Sequence, residues 1–162
     1  HYPCLGIPQV TETSFYLTIF DKNSGAVSAS LHYATTEEFK ATLIANALAS
    51  MPDTSGIVEG FGDPDTHYVT TIRGEPALVP RQNMRISLKG GKKTLVANGT
   101  DTVELTGLPN PCTIVQDPGE PEETSYEVTG GGFVFSAETP GKYQFRVDRF
   151  PFLPFSIEFT AT

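Results

Sequence analysis

The sequence has no tryptophan, only two cysteines, and no apolar run near the roughly 18–20 residues that carry a helix across a bilayer. Insertion into a membrane is therefore not expected. Basic residues are scarce as well: 11 Lys and Arg stand against 19 Asp and Glu, giving a net charge of -8 and a pI of about 4.8. Phosphate backbones are bound by clustered Lys and Arg. Only Lys89, Lys92 and Lys93 bunch here, around Gly90 and Gly91, in what reads as a solvated turn. Nucleic acid is thus not an expected partner, nor is an anionic membrane surface. Cys4 and Cys112 lie far apart and outside any CxxC or zinc spacing, so no structural metal is expected. A disulfide between them stays open beside the commoner state of two buried thiols. The start at His1, with neither Met nor a basic-then-apolar leader, reads as processed or trimmed and leaves the cellular address open.

What the chain does have is aromatic and alternating. Eleven Phe and six Tyr in 162 residues supply apolar area for one domain or two small ones. Residues 14–33 read as a β-hairpin: Phe15, Leu17 and Ile19 share one face, as do Val27, Ala29, Leu31 and Tyr33, across a turn-forming loop at 21–25. A helix is predicted over about 36–50. Thr35 and Glu38 have capping-box spacing, Phe39, Leu43, Ala47, Leu48 and Met51 recur at helical intervals, and Pro52 is the stop. Further strands are expected at 57–58, 68–72 and 77–79. Residues 1–81 then form a small β-β-α-β assembly domain, with 80–83 as the linker.

From residue 84 onward the pattern is strands alone. Apolar residues fall at every second position in 84–88, 103–105, 112–114, 126–128, 133–135, 143–147 and 155–159, with Gly, Pro and Asn between. Asn98-Gly99 predicts a type I′ hairpin joining 95–96 to the strand at 103. Some seven short strands in about 80 residues are the signature of an immunoglobulin-like sandwich over 84–162. The fold class expected is mainly β: an α+β unit followed by an immunoglobulin-like β-sandwich. Tyr143 opens a strand just after Pro140-Gly141, the placement of a structural tyrosine corner. The missing Cys…Trp…Cys core excludes an antibody-type domain.

The stretch "GFGDPDTHYVTTIRGEPALVPR" (60–81) is the densest in titratable groups. Asp63, Asp65 and His67 suit a divalent metal by donor type, and Glu59, Asp63, Asp65 and Glu75 suit paired-carboxylate glycoside chemistry. Asp63-Pro64-Asp65 is also ordinary turn chemistry, and His67 leads into a strand. With His1 and His32 the only other histidines, no paired-His site can be built, and the turn reading is preferred. There is no GxSxG elbow. Gly130 to Gly132 enter a strand and not a helix N-terminus, so they make a turn and not a phosphate loop. Neither catalytic residues nor a cofactor are expected, and the protein reads as non-enzymatic. Asn98-Gly-Thr100 is formally a glycosylation sequon and is read as a turn. The acidic, proline-rich loop 117–124 presents Asp117, Glu120, Glu122 and Glu123. It reads as exposed and as a recognition-loop candidate, without the spacing of a calcium loop. Phe150, Phe152, Leu153 and Phe155, packed around two prolines, either fill the end of the sandwich core or form an interface.

Taken in order, "GIVEGFGDPDTHYV" (56–69), "VPR" (79–81), "VELTGLPNPCTIV" (103–115) and "PGKYQFRVDRFPFLPFSIEF" (140–159) resemble small structural proteins of tailed bacteriophages, tail or tail-fibre-associated virion components. The likeness covers about 140 residues; none of these segments is a catalytic signature. It implies that Gly107–Cys112 and Pro140–Tyr143 belong to an immunoglobulin-like module, and it implies a place in the virion assembled in the bacterial cytoplasm. The implied partners are other virion proteins in a symmetric multi-copy assembly, or a host-surface glycan or receptor met by the sandwich loops. The loop at 117–124 departs from the short Asp-Gly hairpin of that pattern.

Overall fold

The computed structural model describes residues 11–162, and the chain divides into two compact units, residues 1–80 and 81–162. Cys4, and with it the disulfide alternative, lies outside the described residues.

The first unit is built on β1 (Glu12–Asp21), the middle strand of a three-stranded antiparallel sheet ordered β2-β1-β3. Its partners are β2 (Val27–Thr36) and β3 (Ser55–Glu59), with α1 (Glu37–Ala49) lying between them in sequence. The alternation in the sequence sets the register: Phe15 faces Tyr33, Leu17 faces Leu31 and Ile19 faces Ala29 on β2, while Ile19 faces Ile57 on β3. Helix α1 lies over this face, because Lys40 Nζ sits 4.9 Å from the centre of the Phe15 ring and 2.6 Å from Glu59 Oε1. Phe15 and Leu17 are buried there.

The helix itself departs from expectation. Thr36, not Thr35, is its N-cap, and no side-chain capping bond forms, so the predicted box is absent. Glu37 and Glu38 occupy the first turn, where the helix dipole favours negative charge. Lys40, Leu43, Ile44 and Ala47 are half-buried, whereas Phe39 and Leu48 stay exposed, and no residue of α1 is buried.

The strands expected at 68–72 and 77–79 form a separate hairpin of β4 (His67–Ile72) and β5 (Glu75–Pro80). Its two-residue turn places Arg73 and Gly74 at φ 52° and 82°, the geometry of a type I′ turn. Val69 and Leu78 of the hairpin join Phe20, Val27 and Val58 in a small core on the other face of the sheet. Gly25 makes this approach possible. Its carbonyl accepts the Val69 N–H at 2.8 Å, and a Cβ there would stand 2.1 Å from the Val69 carbonyl oxygen.

The second unit comprises β6 (Ser87–Leu88), a single 3-10 turn (Lys89–Gly91), β7 (Thr94–Leu95), β8 (Val103–Thr106), β9 (Cys112–Gln116), β10 (Thr124–Val128), β11 (Gly132–Phe135), β12 (Gly141–Asp148) and β13 (Phe155–Ala161). Three strands form one sheet, β11-β8-β6, and five form the other, β10-β9-β12-β13-β7. The chain thus opens on one sheet, crosses to pair parallel with its own last strand, returns for β8, runs β9 and β10 in the larger sheet, returns for β11, and ends with β12 and β13 in the larger sheet. This is an immunoglobulin-like sandwich: strands one, three and six of the layout form one sheet, and the last two strands pair centrally in the other. Val103, Leu105, Ile114, Phe145, Val147 and Phe159 are at most 2% exposed between the sheets. Phe145 meets Phe133, Phe135 and Phe159 at centroid distances of 5.4, 4.9 and 5.7 Å.

The Asn98-Gly99 hairpin does not form. Leu95 belongs to the five-stranded sheet and Val103 to the three-stranded one, so the two segments are never neighbours. Asn98 instead folds the crossing between sheets. Its Oδ1 accepts from the N–H of Thr100 at 2.9 Å and of Asp101 at 2.8 Å, an Asx turn that mimics backbone pairing.

Candidate functional site

The 60–81 stretch resolves into backbone positioning. Asp63 Oδ1 accepts the Asp65 N–H at 2.8 Å, and the Asp63 carbonyl accepts from Thr66 and His67 at 3.1 and 2.8 Å. His67 opens β4, with its Nδ1 2.8 Å from Thr66 Oγ1. Glu59 is paired with Lys40, whose pKa is raised first by that hydrogen bond. Among the described residues no three His, Cys, Asp or Glu side chains gather as a metal site.

Two hydroxyls that the sequence reading passed over organise the start of this stretch. Thr18 is fully buried, and its Oγ1 donates to the Gly60 carbonyl at 2.7 Å. Ser30, cross-strand from Thr18, donates to the Gly62 carbonyl at 2.8 Å and accepts the Gly62 N–H at 3.0 Å. The two oxygens are themselves 2.6 Å apart. Between these anchored glycines sits Phe61, 57% exposed, edge-on to Tyr16 at 5.2 Å.

In the second unit the Phe-rich segment divides its side chains. Phe152 and Phe155 pack against the sandwich core, Leu153 is half-buried with its N–H donated to the Gln82 carbonyl at 2.8 Å, and Phe150 remains exposed. Arg81 pins the segment. Its Nε donates to the Pro151 carbonyl at 3.0 Å, its Nη2 to the Phe152 carbonyl at 2.5 Å, and its guanidinium lies 5.4 Å from the Phe150 ring centre. Sequence reading placed Arg81 in a linker. An Arg directly after Pro80 carries no local signal of a carbonyl group 70 residues away.

The acidic loop leaves β9 at Asp117, which has φ 52° and donates its N–H to the Gln144 carbonyl at 2.9 Å. Glu123 Oε1 accepts the Gly119 N–H at 3.1 Å, while Glu120 and Glu122 are exposed. Burial, and then the charge of Asp117, raises the pKa of the neighbouring Tyr126. Tyr143 is half-buried and donates its hydroxyl to the Thr139 carbonyl at 2.6 Å, closing the turn before β12. Cys112 is a buried thiol whose pKa is raised by that burial and by Glu127. The lysine group is partnered by acids of its own unit, Lys89 with Glu104 at 3.1 Å and Lys92 with Asp101 at 2.5 Å.

No family model and no curated protein matches the chain. Solved structures similar to it include two of glycosyl hydrolase family 2 members from Bacteroides cellulosilyticus. One aligns at 12% identity and a TM-score of 0.33 over 100% of this chain and 24% of that one. The other aligns at 14% identity and a TM-score of 0.32 over 90% of this chain and 23% of that one. This chain therefore spans about a quarter of the length of either, and likeness at that level does not bear on activity.

Proposed function

We propose that the protein is a non-enzymatic structural component of a tailed-phage virion, tail, collar or fibre-associated, that works by docking other virion proteins in several symmetric copies. The phage assignment rests on the order of sequence motifs. The docking assignment rests on one structural observation: α1 buries none of its side chains and leaves Phe39 and Leu48 59% and 50% exposed on its flanks. Exposed large apolar groups are what an interaction surface would cover. Phe150, 38% exposed beside the Arg81 guanidinium, offers a second apolar contact on the sandwich unit. Phe152 and Phe155 belong to this reading less directly, since their rings also complete the sandwich core.

The test replaces Phe39 and Leu48 together by Ser. Both side chains are exposed, so stability should change by no more than about 0.5 kcal/mol per site. Incorporation into tails assembled without the wild-type protein should be lost. Full-occupancy incorporation of a folded double variant contradicts docking through this helix.

A further inference from the structure

Exposed strand edges are templates for further pairing, and proteins usually blunt them with charge, proline, shortness or cover. Several edges here are blunted in this way. β3 ends in Glu59, β10 carries Glu127, β5 carries Pro76 and Pro80, and β6 and β7 are two residues each. β2 is different. Ten residues long at the edge of its sheet, it holds no proline and none of the chain's 11 Lys and Arg or 19 Asp and Glu. The register shift against β1 falls before Ala29, so the strand is regular from there to Thr36. β4 meets this edge at Gly25 and Ala26, and the rest stays open among the described residues.

The hydrogen bonds of β1 show what that edge offers. On the β3 side the Tyr16 carbonyl accepts the Gly60 N–H at 2.9 Å, and the Lys22 N–H is donated to the Thr54 carbonyl at 2.8 Å. Sides alternate along a strand, so Phe15, Leu17 and Ile19 bond towards β2, and their partners Tyr33, Leu31 and Ala29 turn inward to meet them. The N–H and C=O groups of Ser30, His32 and Ala34 therefore point out from the sheet. Main-chain donors and acceptors at every second residue are what another strand matches.

We propose that β2 pairs antiparallel with β2 of a second copy across a two-fold axis at Leu31, joining the two three-stranded sheets. Two-fold symmetry presents a strand with its own reverse, so a charged edge would bring like charges together. β2 brings no Asp, Glu, Lys or Arg, and about this axis His32 faces Ser30, so no like charges stand directly opposite whatever the protonation of His32. Ser30 and His32 of the two copies exchange main-chain hydrogen bonds. Leu31 faces Leu31 in the closer, non-bonded position, and Tyr33 faces the small Ala29. The pairing covers Leu31, which is 39% exposed in one copy. It runs from Ser28 to Ala34, short of the bridge at Ala26. Each copy uses its long open edge once, so association closes at two. The contact supplies one symmetric interface for the assembly proposed above and does not rest on docking through α1.

The test is sedimentation of the full chain up to about 0.5 mM, with amide exchange on the same samples. Wild type should form a reversible dimer in which the Ser30, His32 and Ala34 amides slow as concentration rises. Leu31→Lys and Leu31→Glu should each weaken dimerisation about tenfold or more, and an equimolar mixture should restore it, because Lys then faces Glu across the axis. Val134→Lys, the same kind of change at an exposed site on β11, should dimerise as wild type. Three results overturn the proposal: a monomeric wild type, a dimer that survives Leu31→Lys, or a mixture that stays monomeric although both variants keep the wild-type melting temperature. A monomer whose three amides already exchange slowly gives the edge to residues 1–10 of the same chain. A dimer lost only when Phe39 and Leu48 are both replaced by Ser gives the contact to α1. Either equally overturns it.

Discussion

The two units solve the problem of a small β protein differently. The sandwich closes on itself: rings from both sheets meet around Phe145, and Phe145, Val147 and Phe159 are at most 1% exposed. Among the described residues the first unit has a buried cluster of Phe20, Val27 and Val69 on one face of its sheet, and over the other face lies a helix whose inward side chains are no more than half-buried. Apolar burial is the main favourable term in folding. Among the described residues this unit leaves Phe39 and Leu48 in water, and under the proposed function a docked partner would cover them. In the proposed function the sandwich is the scaffold and the helical unit is the part that docks.

The comparison is broken most easily where the sandwich is densest. Phe145→Ala removes a ring that touches three others and should cost about 3–5 kcal/mol, read as a shifted denaturation midpoint for the second unit's signals. A cost below about 1 kcal/mol would mean that this core is not what holds the unit together. In the first unit the sensitive atom is polar. Thr18→Val keeps the side-chain shape and strands the Gly60 carbonyl, so a loss of about 1–3 kcal/mol is expected, together with broadening of the Phe61 resonances. Sharp, unshifted Phe61 signals in that variant would show that the hydroxyl does not position the loop. Tyr143→Phe should have the smallest effect, about 0.5–1 kcal/mol, because its bond to the Thr139 carbonyl lies at a half-exposed turn. A larger cost would make that turn a second keystone of the sandwich.

How far the sequence carried this account depended on whether the relevant force was local. Alternation in Phe15, Leu17 and Ile19 and in Leu31 and Tyr33 was enough to place β1 and β2 and their apolar face, but not the register shift between Ile19 and Phe20. The same rule found β9, β12 and β13. It failed at Asn98-Gly99, where turn chemistry was real but the chain used it to change sheets. It also misjudged the helix. Phe39 looked inward by hydrophobicity, yet Lys40 takes the inner position by laying its stem over Phe15 and its charge on Glu59. The functional candidates were least legible of all. Thr18 and Ser30 read as ordinary strand residues, and Arg81 as linker, because their partners are distant in sequence. Phe61, between two glycines, read as part of a turn.

The docking proposal holds that a partner covers α1 of the first unit, while the core of the sandwich is closed without one. Hydrogen exchange on the full chain, free and again after assembly into tails, tests it directly. The account predicts fast exchange over Glu37–Ala49 in the free protein, marked slowing there on assembly, and unchanged slow exchange in β12 and β13. Equal exchange of α1 in the two states, or new protection confined to the sandwich, would contradict it.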